Sequence, residues 1–166
     1  MSPKRFLSWF RQPRSSSAAA LSWWMVEVFE FFDLASVCNR CDALREELRK
    51  HNYLPILFDF EKPRSRDTDE TITLLARMAR FVIADVSDAK AVLQELRAIV
   101  PDLPSVPVQP IILAMQEEPG MFDFYRNFRS FLKVHPYASQ GQLLADLGEK
   151  VIRPAERKVL DLRGST

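Results

Sequence analysis

The chain has 166 residues, a length that fits one domain and leaves little room for a second. Hydrophobic residues make up 47% and charged residues 27%, which provides a core of ordinary size for a globular protein. The formal net charge is only +1, so no global field directs the chain to nucleic acid or a membrane surface, and no run of about 18 apolar residues is present to span a bilayer.

Residues 1–22 read differently from the rest. They carry Lys4, Arg5, Arg11 and Arg14, a Ser15–Ala20 run of serines and alanines, and no acidic residue. That composition resembles a targeting segment, yet Trp23, Trp24 and Glu27 do not look like a cleavage site. Residues 1–22 are expected to be a disordered leader or an unreliable start to the reading frame, and residues 23–166 a single α/β domain.

Trp24 to Phe32 is apolar and aromatic and predicts a first strand. Cys41 to Lys50 predicts an amphipathic helix, with Leu44 and Leu48 on one face, Asn39 or Asp42 as cap and Asn52 as stop. Tyr53 to Phe60 reads as a buried strand whose Pro55 suits an edge or first position. Thr68 to Ala79 predicts a helix with Ile72, Leu75, Met78 and Ala79 on one face. Phe81–Asp85 is nearly continuous apolar sequence, as in a strand covered on both sides. Ala89 to Val100 predicts a helix whose apolar face is Val92, Leu93, Leu96 and Ile99, stopped by Pro101, Pro104 and Pro107. Val108 to Ala114 predicts a fourth strand, Met121 to Arg129 a short aromatic helix, and Phe131 to Tyr137 a weaker last strand. Ser139 to Leu160 predicts a helix broken at Pro154. Strands alternating with helices of this length imply a mostly parallel sheet of four or five strands flanked by helices. Ligands of such sheets bind beyond the carboxyl ends of the strands, which selects the loops after Phe60, Asp85 and Met115.

The chemistry available at that rim is limited. The four glycines are Gly120, Gly141, Gly148 and Gly164, so no glycine-rich phosphate loop follows a core strand, and no G-x-S-x-G elbow occurs. Cys38 and Cys41 form a C-x-x-C, a spacing that serves a redox pair or half a zinc site. His51 and His135 stand alone, and the flanking sequence does not resemble a redox motif, so reduced thiols in a cytoplasmic protein are the simpler reading. The 12 Phe scatter through core segments rather than forming a stacking platform for bases. What remains is a set of carboxylates. Asp59 and Asp85 end strands, Ser87 and Asp88 follow Asp85, and Glu95 lies two turns into the next helix. A carboxylate so placed can act as acid, base or ribose-hydroxyl acceptor. Each has a plain structural role beside it: Asp85 and Asp88 as helix caps, Asp59 on loop amides, Glu95 paired with Lys90 or Arg97.

The stretch Phe81 to Lys90, continuing to Gln94-Glu95-Leu96, resembles the third strand and helix of Toll/interleukin-1 receptor (TIR) domains: an apolar strand, a serine-bearing loop, then a helix with a Glu-Leu pair. Leu44 to Phe60 and Pro110 to Leu113 look like neighbouring elements of the same family. The resemblance implies a flavodoxin-like three-layer sandwich that signals or defends by self-association or by binding another TIR-like or adaptor protein. It also implies NAD as a substrate, with no cofactor and no metal, its nicotinamide–ribose bond cleaved with Glu95 as catalytic residue and Ser87, Asp85, Asp59 and Asp88 as substrate-binding candidates. Val92-Leu93 stands where that family usually has Trp-Cys. Nucleoside 2-deoxyribosyltransferase-like proteins are similar in the same stretch, through Ala84-Asp85 and Glu95-Leu96. There the glutamate would be the nucleophile on the sugar of a nucleotide N-glycosidic bond.

Overall fold

The computed structural model describes residues 24–29, 34–58, 66–87 and 89–164. The elements are β1 (Trp24–Phe29), α1 (Leu34–Lys50), β2 (Tyr53–Phe58), α2 (Arg66–Met78), β3 (Phe81–Asp85), α3 (Ala89–Asp102), β4 (Val108–Leu113), α4 (Phe122–Tyr125), β5 (His135–Tyr137), α5 (Gln140–Asp146), a π-helical segment (Leu147–Ile152) and α6 (Arg153–Arg163). The five strands form one sheet in the order β2-β1-β3-β4-β5, and every pairing is parallel.

Period-two alternation along the central strands sorts the core into two layers. Phe81 and Ile83 of β3 and Ile111 of β4 pack with Leu44 and Leu48 of α1 and with Leu143, Val151 and Ala155 of the C-terminal helices. Val82, Ala84, Val108 and Ile112 point the other way, against Ala76 of α2, Val92, Leu96 and Ile99 of α3, and Phe122 and Tyr125 of α4. The molecule is therefore a flavodoxin-like three-layer α/β sandwich. Its strand order reverses between β1 and β3, and folds of this order open their ligand crevice outside the carboxyl ends of those two strands.

Local chemistry explains most boundaries. Asn52 has φ 63° and ends α1 in the left-handed conformation that asparagine tolerates better than most residues. Pro55 sits on the edge strand β2, paired on one side only, so its missing N–H costs no ladder bond on the open side. Ser139 caps α5 by accepting a hydrogen bond from the Gln142 amide at 3.2 Å.

Four expectations need correction. α1 begins at Leu34 rather than Cys41, so Asn39 lies inside it and Cys38 and Cys41 occupy mid-helix positions rather than opening a helix. Helix propensity is a weak prior, and Asn and Cys near a terminus read easily as a cap. On α2 Ala76 is buried and so is Ala79 just past its end, while Met78 is 63% exposed. The aromatic helix contracts to the single turn of α4, and β5 to three residues, with Phe131 contributing only an isolated bridge to Val108. Finally, Pro154 does not break the last helix. The chain reaches it through six π-helical residues, in which the Arg153 N–H reaches back five residues to the Gly148 carbonyl. Widening the turn ahead of a residue that lacks an N–H keeps the axis continuous.

Candidate functional site

β3 delivers Asp85 to the carboxyl rim, on the same side of the sheet as Phe81 and Ile83, and the residue is 1% exposed. Its Oδ2 accepts a hydrogen bond from the Tyr137 hydroxyl at 2.5 Å. Its Oδ1 accepts two more from Ser87, from Oγ at 2.6 Å and from the backbone N–H at 3.0 Å. The latter closes an Asx turn, so Asp85 shapes the β3–α3 loop and does not cap α3. Ser87 Oγ in turn accepts the Leu113 N–H at 2.8 Å and lies 3.5 Å from the Tyr137 hydroxyl. Three adjacent strands, β3, β4 and β5, are thus laced together at their carboxyl ends by one aspartate, one serine and one tyrosine. Leu113 pairs with Tyr137 in the ladder, which puts the phenol opposite the loop that Asp85 organises.

Glu95 enters from the other layer. It lies on the sheet-facing side of α3 among Val92, Leu96 and Ile99 and is 5% exposed. A freely solvated helix charge is excluded by that burial. Asp85 and Glu95 are both buried carboxylates, and both belong to the β3–α3 unit that flanks the switch point. A charge is kept out of water in a fold only where other groups compensate it or a function uses it.

The structure brings Asp85 and Ser87 together, and places Glu95 one layer away on the same unit. Asp59 and Asp88 lie outside the described residues. Tyr137 is the residue that sequence reasoning missed. The available signal was its place at the end of the last strand, where a tyrosine hydroxyl needs a partner once the ring is buried. Among the described residues no group of three or more His, Cys, Asp or Glu side chains is arranged to hold a metal ion, and no helix is long and apolar enough to cross a membrane.

No family model matches the chain, and no curated protein matches it in sequence. Solved structures resemble it in shape. A CMP N-glycosidase, BcmB, from Clostridium botulinum superposes with a TM-score of 0.55 at 11% identity, over 75% of this chain and 98% of that one. A diflavin flavoprotein A3 from Nostoc sp. superposes with a TM-score of 0.58 at 12% identity, over 84% of this chain and 98% of that one. At such identities the likeness establishes the fold alone, and it agrees with the three-layer sandwich described above.

Proposed function

We propose that the domain cleaves the N-glycosidic bond of a nucleotide, with Glu95 as the catalytic carboxylate. The observation that carries the proposal is the burial of Glu95 on the sheet-facing side of α3, the helix that follows β3. Both families that the Ala84-to-Leu96 stretch resembles use the glutamate at this position on the sugar of a nucleotide. A neighbour in fold is a glycosidase of CMP. In the reaction the C1′–N bond breaks and its electron pair leaves with the base. The Glu95 carboxylate stabilises the positive charge that grows on the sugar, and water adds its oxygen to C1′ and loses one proton, which goes to solvent when neutral nicotinamide leaves NAD and to the departing base when cytosine leaves CMP. The Asp85–Ser87–Tyr137 network holds the loop that leads into α3, so it sets where Glu95 stands relative to the sugar. NAD and pyrimidine nucleotides such as CMP are the two substrates to try first.

The test is base release from NAD and from CMP by concentrated protein, followed by chromatography. Glu95→Gln keeps the shape and removes the charge, and should lower turnover by about 10²–10³-fold, the cost of deleting one electrostatic stabiliser of a transition state. If the wild-type chain releases neither nicotinamide nor cytosine, the enzymatic reading fails.

A second reading rests on a different surface. Leu74 and Met78 are 58% and 63% exposed one turn apart on α2, beside Arg77, an apolar strip of the kind that docks to protein. It supports a TIR-like module acting by assembly with a second copy or an adaptor, with or without catalysis.

A further inference from the structure

On the side of the molecule away from the carboxyl rim, a groove of about 540 Å³ runs between the chain leading into β5 and the last helix. Its size lies within the range of about 300–1,000 Å³ typical of small-molecule sites. Lys133 comes from the chain before β5, Lys150 from the π-helical segment and Lys158 from α6, and the floor is apolar, with Val134, Pro136 and Pro154. No acidic residue lines it. Asp146 stands behind and pairs with Lys150 at 3.0 Å, while its Oδ2 lies 3.6 Å from His135 Nε2. Lys133 and Lys158 have no ion-pair partner among the described residues. The groove therefore carries two uncompensated ammonium groups and a third that is partly neutralised.

The backbone behind these lysines is fixed rather than loose. Gln109, 2% exposed, spends its amide on the Lys133 carbonyl at 2.9 Å and the Pro110 carbonyl at 3.0 Å. Val108 donates to Ser130 O at 2.8 Å and accepts from Leu132 N at 2.9 Å, so the chain that carries Lys133 is pinned along β4. On the opposite wall the π-helical turn carries Lys150 next to Pro154, the widened geometry often found where a helix serves a site.

We propose that this groove binds a phosphate-bearing small molecule, its dianionic group between Lys133, Lys150 and Lys158 and its body over the prolines. Lysine serves phosphate as a mobile point charge with three donors, and a preset backbone lowers the ordering cost of collecting several of them. A small phosphate ester is favoured over an acidic peptide because all three lysines line one groove of about 540 Å³.

The experiment is an amide-resolved NMR titration of the full chain at neutral pH with inorganic phosphate, with sodium chloride at matched ionic strength as control. The amides of residues 131–135 should shift saturably with phosphate and not with chloride. Lys133→Ala and Lys158→Ala, both of groups near the surface, should each weaken binding about tenfold, as expected for one lost charge-assisted contact. Lys158→Arg should retain it. The site is refuted if the shifts do not saturate, if chloride reproduces them, or if both alanine variants titrate like the wild type. A hexaglutamate peptide that saturates the same amides at lower concentration than phosphate would overturn the ligand class. None of these readouts depends on nucleotide cleavage at the rim.

Discussion

Two tyrosine–carboxylate pairs among the described residues sit at opposite ends of the sheet, and they are built to opposite rules. At the carboxyl rim Asp85 takes hydrogen bonds from the Tyr137 and Ser87 hydroxyls and one backbone amide, and no lysine or arginine among the described residues pairs with it. At the amino end Glu156 of α6 takes the Tyr53 hydroxyl at 2.8 Å and is closed by Arg80, whose Nη2 lies 2.6 Å and Nε 3.0 Å from its two oxygens. The base is a neutralised rivet that joins β2, β3 and α6. The rim is a carboxylate ordered by neutral donors at the end where this fold receives ligands. Neutral donors fix position without cancelling charge, which is what a site needs and a rivet does not.

The largest effect should come from breaking the rivet. Arg80 is 10% and Glu156 25% exposed in their side chains, so Arg80→Ala leaves a partly buried carboxylate with the Tyr53 phenol and the weaker pull of Arg163. A loss of about 3 kcal/mol is expected, at the lower end for breaking a buried pair. It should appear as a lower urea midpoint with the proposed nucleotide cleavage per folded molecule unchanged. An equal fall in cleavage would show that the two ends are not separate.

Removing the two phenols one at a time sharpens the contrast. Tyr137→Phe deletes a buried bond and strands one oxygen of Asp85, at about 2 kcal/mol. Tyr53→Phe removes a donor from a carboxylate that keeps its arginine, at about 1 kcal/mol. Only Tyr137→Phe should also slow the proposed nucleotide cleavage, because only it loosens the loop ahead of α3. Paired denaturation and turnover measurements would sink the distinction if both variants lost activity alike.

The fold was legible because its signals are local and repeated. Phe81–Asp85 announces a doubly covered strand, Asn52 a left-handed helix end and Pro55 an edge. The buried site was legible in part. Asp85, Ser87 and Glu95 fall in one stretch of sequence at a strand end, so spacing finds them. Tyr137 was not, because it reaches Asp85 from 52 residues away through the β4–β5 register, and a single sequence does not encode which strand lies beside which. The rivet escaped for the same reason: Tyr53, Arg80 and Glu156 are joined only by packing.

The smallest expected effect separates the ends by acid. At the base, the Glu156 carboxyl is held below its ordinary value by its hydrogen bonds from Arg80 and Tyr53, which outweigh a burial that acts the other way. Its stabilisation is complete above the unfolded value near 4.5 and is lost as pH falls through the lower folded value. His135 adds to this at higher pH. Burial holds its imidazole below 6.5, against the pull of Asp146, so the folded state resists a proton that the unfolded chain accepts. Stability should therefore decline first as pH drops below about 6.5, and again below about 4.5. The groups that face His135 are Asp146 and Lys150, so His135→Gln should flatten the upper limb and leave the lower one. Glu156→Gln should do the reverse, at a lower plateau. Thermal melts across that range read both limbs, and an upper limb that survives in His135→Gln would assign it to another group.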